Sequence, residues 1–112
     1  MSPEEAISRI GNVNKSGSIK VVIAHSDSMS PTIEPDDLLF VDTAVAEYAG
    51  EGIYIIRNHG ELLCKRMSRA GRELMVSSDN ACAGKWSWRN RAEDFTVIGK
   101  VICALPIRIR KL

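Results

Sequence analysis

The sequence predicts a mostly β domain of short strands and hairpins. Three observations carry this. Six runs rich in Val, Ile and Leu recur along the chain, each too short for a typical helix and each closed off by Gly, Pro, Asn or Ser clusters. Between two of these runs sits Asn58-His59-Gly60, a tight-turn signal with a glycine free to take a positive φ. Finally, 112 residues with 45% hydrophobic side chains suffice for one core and are too few for two.

In chain order, Ser2-Pro3-Glu4-Glu5 has the form of a capping box with proline at the first helical position, which predicts a short helix to about Ile10, stopped by Gly11. Residues 1–18 form a lead-in or linker, because Asn12 to Ser18 are small and polar. The domain proper, 19–112, opens with "IKVVIA" from Ile19. It continues through "LLFVDT" from Leu38, "GIYIIR" from Gly52, "ELLCKRM" from Glu61, "RELMVS" from Arg72 and "FTVIGKVICAL" from Phe95. Ser68 to Gly71 is expected to turn the chain between the fourth and fifth runs, and Gly99 to mark a bulge or bend in the sixth. The tail "PIRIRKL" alternates Ile107 and Ile109 with Arg108 and Arg110, as an edge strand with one wet face would.

Composition removes several function classes. No segment approaches the roughly 20 apolar residues of a membrane span, and "MSPEEAISRI" has neither the basic start nor the apolar middle of a secretion signal. A cytoplasmic protein without a membrane partner is expected. Cys64, Cys82 and Cys103 are odd in number and lack metal-ligand spacing, so reduced thiols are expected, with no metal and no cofactor. The net charge of +1 divides unevenly, with nine acids and three bases up to residue 56 and five acids and twelve bases after it. A basic second half without aromatic interleaving or a helix-turn-helix pattern reads as solvated strand faces rather than a nucleic-acid surface.

The chemistry-bearing candidates are few. Of the two histidines, His59 falls in a turn, and His25 lies three residues before Ser28, too local to serve as its base. Asp36 and Asp37 follow Pro35, where acids hydrogen-bond their own turn. A serine nucleophile can also be served by a lysine. Such a base must be neutral, so it needs burial to bring lysine down from its ordinary value of about 10.4. Lys65 fits by position, since strand alternation puts it on one face with Leu63 and Met67, opposite Leu62, Cys64 and Arg66. An ordinary strand lysine with its amine in water satisfies the same pattern.

"SDSMSPTIEPDDLLFVDT" resembles the Ser-Met-x-Pro-Thr-Ile box of the LexA-like and phage-repressor C-terminal peptidases, through Asp27, Ser28, Met29, Pro31, Thr32, Ile33, Asp37, Val41 and Asp42. "GIYIIRNHGELLCKRM" is similar to that family's second box, a hairpin whose return strand carries a Lys-Arg pair, here Lys65 and Arg66. "VSSDNACAGKW" and "VIGKVICAL" resemble its Ser-Asn loop and closing strand, so the likeness spans about Val21 to Leu105.

The resemblance implies a compact LexA/signal-peptidase-like β domain. It implies Ser28 as nucleophile, Lys65 as general base, and the backbone amides of Asp27 and Ser28 as oxyanion donors. It further implies a homodimer, a transcriptional repressor's own linker as peptide substrate, DNA contact only through an upstream domain, and a recombinase filament as co-stimulator in an SOS response. The closing strands "FTVIGKVICAL" and "PIRIRKL" are expected to offer the dimer an apolar edge.

Two departures stand out. Ser26 occupies a position where the family usually has glycine, and a positive φ there would strain it. Family repressors cleave an Ala-Gly or Cys-Gly bond well before the serine. Here Ala49-Gly50, Ala70-Gly71 and Ala83-Gly84 all follow it, so a C-terminal fragment, a cleavage product or a stand-alone relative is expected. A dimerisation module with an idle dyad is the alternative function, and a membrane signal peptidase of the same chemistry ranks behind both.

Overall fold

The computed structural model describes residues 17–107. The helix expected from Ser2 to Ile10, most of the lead-in, and Arg108 onward in the tail lie outside the described residues. Among the described residues seven strands form one sheet: β1 (Ile19–Ile23), β2 (Leu38–Asp42), β3 (Gly52–Asn58), β4 (Glu61–Ala70), β5 (Glu73–Ser77), β6 (Lys85–Ser87) and β7 (Thr96–Leu105). Their spatial order is β1-β2-β7-β3-β4-β5-β6, and every pairing is antiparallel. The mostly β reading therefore holds.

Both faces of the sheet are covered, and β3 shows how. Tyr54, Ile55 and Ile56 are all buried, with Ile55 packing among Ala24, Met29, Ile33, Leu39 and Val41, while Tyr54 and Ile56 join Met67, Val76 and Val97. Successive strand side chains point to opposite faces, so a strand covered on both sides reads as an unbroken apolar run. Tyr54 is fully buried, and its hydroxyl is satisfied locally: it accepts from the Ala49 N–H at 2.9 Å and donates to the Gly50 carbonyl at 2.6 Å.

The β3–β4 hairpin turns on His59 and Gly60, which both take positive φ, 53° and 77°, the requirement of the turn that matches strand twist. Asp94 clasps the turn from outside. Its carboxylate accepts the backbone N–H groups of His59 and Gly60, and these bonds, that from Gly60 foremost, hold its carboxyl below the usual range although burial pushes the other way.

Gly99 is required by close approach. A Cβ there would lie 2.5 Å from Val41 Cγ1 and 2.8 Å from the Asp42 carbonyl. The expected irregularity is present: β7 slips register against β3 between Ile55 and Ile56, and again against β2 between Phe40 and Val41.

Two expectations change and one strand is added. Ser68 to Ala70 extend β4 instead of turning, since they pair with Met75, Leu74 and Glu73, and the turn falls at Gly71 and Arg72. β6 escaped the sequence reading because Lys85-Trp86-Ser87 is too short to show alternation; it is recruited by pairing with β5. The closing run is an interior strand, bridged by β3 along Thr96–Lys100 and by β2 along Lys100–Leu105. Lys100 pairs on both sides, and among the described residues the β3 side of Val101–Leu105 and the β2 side of Thr96–Gly99 are left without a strand. Pro106 and Ile107 follow without strand structure.

Candidate active site

Ser28 sits on the loop between β1 and β2, where the chain must reverse within a few residues. Ala24 N–H donates to the Asp37 carbonyl at 2.9 Å and Asp36 N–H to the Ala24 carbonyl at 2.8 Å, closing the loop at its neck. Asp37 fixes its return half, accepting the Glu34 N–H at 3.0 Å, and Asp36 takes a positive φ of 73°. These acids do turn chemistry, as the sequence indicated. Met29 and Ile33 pin the loop from beneath, each 2% exposed in the core, and the Ser30–Pro31 peptide is cis. Ser28 is left half-buried at the top.

Lys65 comes from the middle of β4, opposite Tyr54 of β3. Ser28 and Lys65 border one cavity of about 500 Å³, walled by Val22 and Ile23 of β1 and by Leu62 and Leu63 of β4. No hydrogen bond joins the two residues. The Lys65 ammonium donates to Ser78 Oγ at 2.8 Å, while Ser28 Oγ shares a hydrogen bond of 3.0 Å with Ser26 Oγ. The Ser28 backbone N–H also reaches Ser26 Oγ, at 3.4 Å. The Asp27 carbonyl accepts from Ser30 N–H and from Asn80 Nδ2. Ser26 is not among the residues of positive φ, so serine brings no backbone strain to that position. His25 borders the cavity too but is exposed and makes no hydrogen bond with Ser28; His59 is exposed in its turn.

What holds the two halves in register is the loop after β5. Asp79 receives a forked pair of bonds from Arg66, Nε to Oδ1 at 2.7 Å and Nη2 to Oδ2 at 2.8 Å, and a further bond from Thr32 Oγ1. Its own N–H points at Met29 Sδ. The next residue, Asn80, donates its backbone N–H to the Ser28 carbonyl at 3.0 Å. Three segments distant in sequence thus meet at one carboxylate and one amide. The Arg66 bonds hold the Asp79 carboxyl below its ordinary range, burial opposes this, and Thr32 adds to the lowering.

Sequence reading missed the parts played by Ser78, Asp79 and Asn80. The likeness to a Ser-Asn loop drew attention to that stretch, but no spacing rule connects it with Arg66 or Thr32. Cys64, beside Lys65 on β4, also lines the cavity, and burial pushes its thiol up to about 11. Among the described residues no cluster of His, Cys, Asp or Glu is arranged to hold a metal ion, and no helix is long and apolar enough to cross a membrane.

A hydroxyl and an amine thus border one apolar cavity, braced by a shared loop. Comparison with known proteins places the chain in a family. The chain is similar to the "26 kDa repressor protein" of Escherichia phage HK022, 34% identical over 95 residues that make up 84% of this chain. It spans 40% of the length of that relative. The sequence model of the Peptidase S24-like family matches residues 3–102, which takes in the serine loop, the Lys-Arg hairpin and the bracing loop together, and the chain belongs to that family.

Proposed function

We propose that this domain is the self-cleavage and dimerisation domain of a phage-type transcriptional repressor, a serine peptidase working through Ser28 and Lys65. The observation that carries the reading is their convergence on one cavity from positions 37 residues apart. Membership of a peptidase family and likeness to a phage repressor support it.

In the proposed reaction, neutral Lys65 Nζ takes the proton of Ser28 Oγ as the oxygen attacks a peptide carbonyl. The carbonyl electron pair moves onto its oxygen, which the Asp27 and Ser28 backbone amides receive. Lys65 then gives the proton to the departing amine, and water releases the acyl group by the same steps in reverse. Ser78, already bonded to Lys65, orients the amine. The substrate is the repressor's own linker, an extended apolar segment with a small residue at the cut, which suits walls of Val22, Ile23, Leu62 and Leu63. DNA is bound through an upstream domain, and a recombinase filament stimulates the cut. Two copies pair through the open side of Val101–Leu105, where Ile102 is exposed.

One observation favours the alternative of a non-cleaving dimerisation module: Ser28 and Lys65 each bond a different serine. Apo sites often tighten only with substrate, so the peptidase reading stands first. The test is cleavage of an Ala-Gly linker peptide in trans by the wild type, Ser28→Ala and Lys65→Ala, with sedimentation over a range of concentrations. Cleavage lost in both variants supports the dyad. A wild type that dimerises and never cleaves establishes the module, and a strict monomer at high micromolar concentration removes the dimer.

A further inference from the structure

We infer that the Ser26 side chain is itself part of the reaction centre, donating a hydrogen bond to the oxyanion formed when Ser28 attacks; this rests on the peptidase reading above. Ser26 Oγ lies 3.0 Å from Ser28 Oγ and 3.4 Å from the Ser28 backbone nitrogen. An oxygen geminal to Ser28 Oγ in a tetrahedral adduct that takes the Ser28 N–H replaces Ser26 Oγ as that donor's partner and lies in the space beside both atoms. Ser26 borders that space with a rotatable hydroxyl, and a hydroxyl can turn from accepting an N–H to donating its O–H. As negative charge gathers on the carbonyl oxygen, a donor at this point strengthens, whereas it gains little from the neutral peptide.

The backbone permits the role, because Ser26 is free of the positive φ that would demand glycine. Its exposure at the cavity rim is removed when a peptide lies between β1 and β4, which strengthens the bond by excluding water. No proton leaves Ser26: the Ser28 proton goes to Lys65, the carbon–oxygen bond forms at Ser28, and the displaced electron pair rests on the carbonyl oxygen that Ser26 faces.

The experiment compares wild type, Ser26→Ala, Ser26→Gly and Ser26→Thr in trans cleavage of an Ala-Gly peptide and in labelling by a serine-reactive phosphonate, whose P–O oxygen mimics the oxyanion. Removing one such donor lowers kcat by roughly 100-fold with KM little changed. Ser26→Ala and Ser26→Gly show that loss in both assays while unfolding at the same urea concentration as wild type, and Ser26→Thr, which keeps the hydroxyl, recovers most of the rate. Full kcat in Ser26→Ala beside a reactive wild type overturns this inference and leaves the Ser28–Lys65 dyad standing. A wild type that neither cleaves nor takes the label overturns the peptidase reading and this inference with it.

Discussion

Replacing Asp79 by Asn keeps the shape of the brace between the serine loop and β4 and removes its charge. Asp79 is 15% exposed and Arg66 30%, so the pair lies between an exposed ion pair worth at most about 1 kcal/mol and a buried one whose disruption costs about 3–5 kcal/mol. Two charge-assisted bonds at 2.7 and 2.8 Å put the loss at about 2 kcal/mol, since Arg66 can recover part of its hydration. For a domain of this size that lowers Tm by about 10 °C. The pH dependence separates a charge effect from lost packing. The folded-state carboxyl is held below its ordinary value, so its contribution is fully present above the unfolded value of about 3.9 and is lost as pH falls through the folded one. Urea unfolding of both proteins from pH 7 to pH 3 gives the comparison, in which the other carboxylates cancel. The stability gap is about 2 kcal/mol at pH 7 and closes below about pH 4. A gap that is absent at neutral pH, or that persists unchanged into acid, would refute the reasoning.

Other outcomes follow from packing and burial. Gly99→Ala drives a Cβ against Val41 and the Asp42 carbonyl, backbone that cannot easily yield, and costs about 1–3 kcal/mol in urea unfolding; a neutral result would mean the β2–β7 contact is looser than the 2.5 Å approach implies. Tyr54→Phe leaves the Ala49 N–H without its acceptor and costs about 1–3 kcal/mol by the same measurement, unless water enters to replace the hydroxyl, in which case the loss vanishes. Under brief alkylation at neutral pH followed by peptide mass spectrometry, exposed Cys82 is modified first and Cys64 lags, because burial holds its thiol protonated to about pH 11; equal labelling would show the cavity wall opening readily.

The strands were legible because their signals are local. Leu38–Asp42, Gly52–Asn58 and Glu73–Ser77 each announce themselves by branched apolar residues and bounding turn formers, and His59-Gly60 by its composition alone. Pro31 and the acids at 36 and 37 also have roles set within the serine loop itself. Where locality fails, the sequence falls silent. Lys85–Ser87 becomes a strand only because β5 offers an edge, and Ser68–Ala70 stays extended for the same reason. Phe95 to Leu105 looked like a free closing edge, and the sheet instead sets it between β2 and β3, each of which pairs with one half of it.

At the site the division is the same. Sequence singled out Ser28 and Lys65 through the motifs around them, yet nothing in residues 26–33 or 61–67 says that a carboxylate at position 79 will bridge Thr32 to Arg66, or that Asn80 will hold the Ser28 carbonyl. Nor does the sequence tell which serine each candidate bonds. Strand period and turn chemistry depend on neighbours in the chain, which a sequence displays. The bonds of Ser78 and Asp79 depend on how a twisted antiparallel sheet brings distant loops to one end, and only the folded packing of both cores decides that.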